Sequence, residues 1–187
     1  MNWRDVLEGE HSLLLEVLDA AERECDFIDS TGNVHMDLVG DMVEFFRYFG
    51  DGLHDPKEEG LLYARCHRRG MTNDDEPLEQ LMAEHEWCRA TLDELQETLP
   101  AIKDGTTSAI RDLSVKLREY VQVTRCHIEV EETLFFDTTA HYLTEQDLAE
   151  LSEEFARAHE EEVEEGVHAY YQELAHRVLA AETEMCG

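Results

Sequence analysis

The sequence predicts an all-α protein, an up-down-up-down four-helix bundle with one additional C-terminal helix. The chain of 187 residues contains only 3 Pro and 10 Gly, whereas Leu, Ala, Glu and Arg, which favour helix, are abundant. Apolar residues also recur at helical spacing in five stretches, which turn residues separate. A chain of this length is typical of one domain, which we expect over residues 1–187.

Turn and capping residues set the bounds of the predicted helices. The first helix ends before the polar cluster at 29–33, and the second ends at Gly70. Acidic residues and Pro77 are typical of a first helical turn and mark the start of the third helix. Thr144 is a cap residue that precedes the fifth. The predicted bounds are about 3–27, 36–69, 74–100, 107–140 and 144–182, so that the bundle occupies about 3–140.

The charge and the cysteine content exclude several classes of protein. The 45 acidic and 15 basic residues give a net charge of −30, which repels nucleic acid and anionic membrane surfaces. No apolar run approaches the ~20 residues of a membrane span, and the N-terminus lacks the pattern of a secretory signal. Five cysteines without a C-x-x-C pair predict neither a disulfide framework nor a zinc ribbon. We therefore expect free thiols and a cytoplasmic protein.

Four histidines stand on the four predicted bundle helices, one on each. In the first, third and fourth helices the histidine interrupts a stripe of apolar residues that would face the bundle core. In the second helix Gly50, Gly52 and Pro56 surround the histidine and predict a local kink or bulge. The histidines are His11, His54, His85 and His127. Their placement predicts four imidazoles that converge inside the bundle.

Two of these histidines are followed four residues later by a glutamate. Residues i and i+4 of a helix point the same way, so His54 with Glu58 and His127 with Glu131 each offer a nitrogen and a carboxylate to one point. Such pairs are common by chance in this composition. Glu131, however, lies in an apolar stripe, where an unpaired carboxylate costs several kcal/mol. We interpret the pattern as a dinuclear metal site with iron preferred, and manganese or zinc as alternatives.

The order of these residues resembles that of the hemerythrin-like (HHE cation-binding) family. The resemblance covers about residues 11–140 and rests on His11 and three segments. The segments are His-Asp-Pro-Lys-Glu-Glu at 54–59, Glu-His at 84–85 and His-Ile-Glu-Val-Glu-Glu at 127–132. The resemblance implies a non-haem pair of iron ions with an oxo or hydroxo bridge (Fe-O-Fe or Fe-OH-Fe). It also implies that Glu58 and Glu131 bridge the two ions and that the four histidines are terminal ligands.

The sequence departs from the oxygen-carrying members of that family. Those proteins have a second histidine one turn from the ligand on the third helix, where this chain has Leu81 and Arg89. Four imidazoles in place of five leave about one open position on each six-coordinate iron. Relatives with four histidines are associated with responses to O2, NO and H2O2 and with iron supply. The resemblance therefore implies redox chemistry on a small molecule, in stress response or iron homeostasis, rather than reversible oxygen carriage.

Three functions follow from this interpretation. The first is a di-iron oxidoreductase that consumes peroxide or nitric oxide, for which the sequence identifies no catalytic side chain beyond the metal ligands. The second is a module that senses or binds oxygen or iron without turnover. The third is an iron donor or storage protein, which in its ferritin-like form would use the pairs Glu8/His11 and Glu173/His176. In each case we expect a small-molecule ligand and a monomer or homodimer.

Four further residues are candidates for partners of the metal ligands. Tyr120 precedes His127 by two turns and is either a hydrogen-bond donor near the metals or a core aromatic. Glu59 and Glu132 follow the two paired glutamates and are either hydrogen-bond partners of the ligand histidines or solvated charges. His159 lies on the apolar face of the fifth helix and is either a structural histidine or such a partner. The remaining histidines are interpreted as surface groups: His35, His67, His141, His168 and His176.

Overall fold

The computed structural model describes residues 2–72, 75–103 and 107–185. Over these residues the protein is all-α, which confirms the predicted fold class. The described chain forms six helices: α1 (Trp3–Thr31), α2 (36–68), α3 (Leu78–Lys103), α4 (107–139), α5 (Glu145–Glu164) and α6 (Val167–Met185). None of them is both long and apolar enough to cross a membrane. The predicted acidic start of the third helix at Asp74 lies outside the described residues, as does Cys186, and the other four cysteines are free thiols.

The order of buried residues along α1 to α4 shows the up-down-up-down topology. The core consists of two apolar clusters, one that contains Leu18 and Phe46 and one that contains Leu7 and Phe135. Helices α1 and α3 enter the second cluster first and the first cluster later, whereas α2 and α4 run through them in the opposite order. Neighbouring helices are therefore antiparallel. Between the two clusters, all four helices place buried polar residues at the same level of the bundle.

Helix α1 is longer than predicted because its polar C-terminal residues continue the helix. The Asn2 side chain accepts a hydrogen bond from the Arg4 amide, and the Asn2 amide donates one to the Asp5 carboxylate, which caps the start of α1. The helix continues to Thr31 and ends at Gly32, whose φ of +70° lies in the left-handed region that favours glycine.

Three π-helical segments interrupt α2 and α4. They span Phe46–His54 and Glu58–Tyr63 in α2 and Glu131–Phe135 in α4. The sequence predicted an irregularity around His54 from Gly50, Gly52 and Pro56, but it did not predict the segment in α4. A π-helical turn holds one more residue than an α-helical turn and rotates the side chains that follow it. Each segment begins or ends at a predicted ligand, so these turns set the direction of those side chains.

The predicted fifth helix consists of two helices, α5 and α6. Gly166 has a φ of +74° and ends α5, so that a break separates α5 from the helix that starts at Val167. Thr144 caps α5 as predicted, because its hydroxyl accepts a hydrogen bond from the Asp147 amide. Helices α5 and α6 follow one another along the bundle and pack against α1 and α2, and so cover one side of it.

Candidate metal centre

The six predicted ligands converge in one buried layer between the two apolar clusters. Each is at most 5% exposed, and Glu58 and Glu131 are completely buried. The layer comprises His11 from α1, His54 and Glu58 from α2, His85 from α3, and His127 and Glu131 from α4. The bundle therefore brings together all the residues that sequence spacing placed on inward faces.

The four imidazoles form two pairs whose Nε2 atoms face each other. The Nε2 atoms of His11 and His54 are 3.1 Å apart, and those of His85 and His127 are 3.0 Å apart. Each pair joins two neighbouring helices, α1 with α2 and α3 with α4. Two nitrogens thus point to one position in each half of the layer.

A ring of four carboxylates sets the tautomer of these imidazoles. Each Nδ1 lies at hydrogen-bond distance from a glutamate on a neighbouring helix: His11 from Glu132 (2.9 Å), His54 from Glu10 (2.9 Å), His85 from Glu59 (2.8 Å) and His127 from Glu84 (3.0 Å). A carboxylate accepts hydrogen bonds, so each Nδ1 carries the proton and donates it. In the neutral ring the Nε2 atom then holds a lone pair, which is directed into the layer.

Glu58 and Glu131 lie between the two imidazole pairs. Oε1 of Glu58 is 3.2 Å from Nε2 of His54, and Oε2 of the same carboxylate is 3.4 Å from Nε2 of His85. Oε2 of Glu131 is 3.3 Å from Nε2 of His11 and 3.5 Å from Nε2 of His127. Glu58 also lies 3.6 Å from Nε2 of His11, so that each carboxylate contacts at least one imidazole of each pair.

The donor atoms of this layer fit a pair of metal ions. Both oxygens of Glu58 and Oε2 of Glu131 are buried and have no hydrogen-bond partner among the described residues. Facing lone pairs and partnerless carboxylate oxygens repel one another unless a cation lies between them. Two groups of ligand atoms lie within 4.8 Å of one another: His11, His54, Glu58 and Glu131 form one, and Glu58, His85 and His127 form the other. The cluster fits a dinuclear metal site in which Glu58 is shared.

The electrostatics of the layer favour positive charge. Burial disfavours a charged imidazole at His85, but the neighbouring carboxylates of Glu58 and Glu59 outweigh burial and raise the pKa of His85 to about 11. At His54 burial is likewise outweighed, first by the charge of Glu58, and the pKa is raised to about 9. Burial opposes ionisation of Glu58, yet the surrounding histidines hold its pKa well below the usual range. A metal ion that enters the layer therefore competes with protons for the imidazoles.

Two of the ring carboxylates were predicted and two were missed. Glu59 and Glu132, which the sequence left between two interpretations, both contact the Nδ1 atom of a predicted ligand. Glu10 and Glu84 were missed because each is adjacent to a histidine on its own helix but pairs with one on the next helix. A signal was present in the sequence: each of the four acids stands directly beside a predicted ligand.

The two positions around His85 show what replaces a fifth histidine. Leu81 is completely buried in the apolar cluster below the layer. Arg89 donates to Oε1 of Glu59 at 3.1 Å and so holds the carboxylate that orients His85. Helix α3 thus contributes His85 to the layer, and its Arg89 holds Glu59, the hydrogen-bond partner of His85.

Tyr63 and Asp55 also belong to the layer and were not predicted. The Tyr63 hydroxyl donates to Oε1 of Glu131 at 2.6 Å, and its ring is stacked on His85 at 6.0 Å. Asp55 is buried, with Oδ1 4.0 Å from Nε2 of His85. Both lie in the irregular part of α2, where helical periodicity does not indicate which side chains face inward.

Tyr120 and His159, the other two predicted partners, are not among the hydrogen-bond partners that the structure shows for the six ligands. Tyr120 packs against Phe46 and lines a cavity of about 30 Å³ above the layer. The cavity is lined by His54, His85 and His127, by the carboxylates of Asp51 and Asp55, and by Leu14, Gly50, Cys88, Leu92, Thr124 and Ile128. His159 belongs to a different group of side chains, with Glu162 and His168.

The ferritin-like pairs do not assemble a site. Glu8 forms an ion pair with Arg4, while Glu173 and His176 are exposed on α6.

Removing the charge of one ring carboxylate is expected to weaken metal binding. In the Glu84→Gln variant His127 keeps its position but loses the anionic partner of its Nδ1–H group, so the imidazole becomes a weaker ligand. We expect the metal affinity to fall by about 10- to 100-fold, as is typical of lost outer partners. Competition with a chelator of known affinity measures this change. The exposed Glu86, on the same helix, provides the matched control: Glu86→Gln should bind like the wild type, and equal loss in both variants would contradict the assignment.

Comparison with known proteins agrees with this geometry. The family model described as the hemerythrin HHE cation binding domain matches residues 4–139. This segment contains α1 to α4, all six residues of the layer and the four carboxylates of the ring. No curated protein is similar enough to the chain to give a match. The match covers well over half of the chain, and the chain belongs to the hemerythrin HHE cation-binding family.

Proposed function

We propose that the protein holds two iron ions in the buried layer and uses them to bind or reduce a small redox ligand, namely O2, NO or H2O2. His11, His54, His85 and His127 would be terminal ligands, and Glu58 and Glu131 would bridge the ions. The pair of irons would supply electrons and Lewis acidity to the ligand. Nitrogen and carboxylate donors suit iron but also manganese or zinc, so metal analysis is part of the test.

The side chains of the layer position the site and exclude water. The carboxylate ring accepts the Nδ1–H of every imidazole, so that each Nε2 atom faces the layer, and the Tyr63 hydroxyl fixes Oε1 of Glu131. The two apolar clusters close the layer from above and below. A small molecule that reaches the layer is therefore held in a site of low dielectric, where charges act more strongly than in water.

The small cavity above the layer is the observation that carries this proposal. Its volume is about 30 Å³, whereas about 10–15 Å³ measured in this way is enough to hold one water molecule. Three of the four imidazoles line it on one side, while Leu14, Leu92 and Ile128 line it on the other. A diatomic molecule fits such a space, whereas an organic substrate does not. The cavity thus supports a ligand of two to four atoms.

A glycine in the cavity wall allows a direct test. A Cβ atom at Gly50 would lie 3.7 Å from Leu14 Cδ2 and 4.0 Å from the Tyr120 hydroxyl, which are ordinary contacts. Gly50→Ala therefore fits the fold and places a methyl group in the cavity. We expect unchanged iron content and several-fold slower binding of NO or consumption of H2O2. Stopped-flow spectroscopy of the iron-loaded protein measures both rates.

Gly60 provides the matched control in the same helix. A Cβ atom there meets nothing within 4 Å, so Gly60→Ala should react like the wild type. Repeated turnover would identify an oxidoreductase, whereas one stoichiometric binding event would favour the sensing or binding module. Failure of the wild-type protein to retain iron would overturn the proposal.

A further inference from the structure

The break between α5 and α6 builds a second group of metal-ligating side chains, which we call the outer cluster. It consists of His159, Glu162 and His168, and one ligand atom of each lies within 4.8 Å of the other two. His159 and Glu162 are one turn apart on α5, and His168 lies in the first turn of α6, just after Gly166. The break at Gly166 brings the two rings together, with centroids 4.8 Å apart and planes at 77°.

Both imidazoles of the outer cluster have an unused ring nitrogen. Nδ1 of His159 and Nδ1 of His168 are buried and have no hydrogen-bond partner among the described residues. Buried ring nitrogens are normally hydrogen-bonded, so each of these two atoms is free to bind a ligand from outside the described residues. Burial and the neighbouring His159 also lower the pKa of His168, which keeps its ring neutral and its lone pair available at neutral pH.

We propose that the outer cluster binds one divalent transition-metal ion, with Zn²⁺ as the expected occupant. Two imidazoles and one carboxylate form a donor set that zinc and non-haem iron use when one coordination position stays open to water or a ligand. The site is separate from the dinuclear layer and contains residues 159–168, beyond the segment 4–139 that the family model matches. The outer cluster is thus a feature of the C-terminal helices and goes beyond the proposed function.

The surroundings of the outer cluster favour the entry of a cation. A cavity of about 380 Å³ lies between α1 and the C-terminal helices, with His159 and His168 in its wall. Asp5, Glu10 and Glu16 also line it. An acidic wall raises the local concentration of cations, and the open space leaves room for water at the fourth position of the metal.

A chain of ion pairs joins the outer cluster to the buried layer. Nζ of Lys57 donates to Oε1 of Glu162 and to Oε1 of Glu10, in each case at 2.7 Å. The other oxygen of Glu10 accepts from Nδ1 of His54 at 2.9 Å. Replacement of Glu162 would therefore disturb the dinuclear layer as well, so the imidazoles are the residues to change.

Zinc stoichiometry tests the proposal on the protein loaded with its own metals. Wild type and the double variant His159→Gln/His168→Gln are dialysed against micromolar Zn²⁺, and zinc and iron are counted in the same samples by mass spectrometry. We expect the wild type to bind about one zinc per chain more than the variant, since both nitrogen ligands are lost. The control His141→Gln/His176→Gln removes two exposed histidines and should bind zinc like the wild type.

The iron count and the circular dichroism spectrum show whether the double variant is folded. If it is not, the single variant His168→Gln replaces it, with an expected loss of zinc affinity of at least about 10-fold. Equal zinc content in the wild type and the folded variant would overturn the proposal, as would a wild type that binds no zinc beyond that held in the buried layer.

Discussion

Replacing Glu58 with glutamine is expected to abolish the retention of both metal ions of the buried layer. Glu58 belongs to both groups of ligand atoms, and its two oxygens face different imidazole pairs. A neutral amide offers one oxygen in place of two and cannot balance two cations. We therefore expect metal content to fall from about two ions per chain to less than about one after dialysis, as measured by mass spectrometry.

The exposed Glu129 is a suitable control. It is a glutamate of the segment 127–132 on α4, next to the predicted ligands His127 and Glu131, but its side chain is exposed to solvent. Glu129→Gln should retain metal like the wild type. Circular dichroism separates loss of ligands from loss of fold, since glutamine has nearly the volume of glutamate and leaves no cavity. A folded Glu58→Gln protein that keeps two ions would show that the carboxylate does not bridge them.

The sequence was sufficient to predict the bundle and its buried layer. A histidine or glutamate in an apolar stripe has a defined direction, because helical geometry fixes which residues share a face. This reasoning placed His11, His85 and His127 inside the bundle, and the i,i+4 rule added Glu58 and Glu131. It worked because the stripes of α1, α3 and α4 are regular up to the residues that matter.

The features that were missed depend on irregular backbone or on contacts between helices. Tyr63 and Asp55 lie where α2 leaves α-helical geometry, so a period of 3.6 residues no longer predicts their direction. Glu10 and Glu84 each accept a hydrogen bond from a histidine on the neighbouring helix. Their position beside a predicted ligand on their own helix does not tell which histidine that is. His168 was interpreted as a surface group because it lies on a mixed face of the expected continuous fifth helix. The break at Gly166 instead brings the ring of His168 to 4.8 Å from that of His159.

Removing the metal is expected to lower the melting temperature of the protein by about 8–16 °C. A ligand that binds only the folded state at a thousand times its dissociation constant stabilises it by about 4 kcal/mol. For a chain of 150–250 residues, each kcal/mol corresponds to about 2–4 °C. The physical origin is the layer itself, where loss of the cations leaves buried carboxylate oxygens and imidazole nitrogens facing one another. Calorimetry of the protein before and after treatment with a chelator measures the difference.

The Glu58→Gln variant shows whether the fall in melting temperature comes from loss of the metal pair or from another effect of the chelator on the protein. That protein should lack the metal pair from the start, so the chelator should leave its melting temperature nearly unchanged. Zinc in the outer cluster would also be removed, and the His159→Gln/His168→Gln variant corrects for its contribution. If the wild type lost its metal without a change in melting temperature, the ions would bind the folded and unfolded chains equally. A site assembled from four helices cannot behave in that way, because its ligands meet only in the folded bundle.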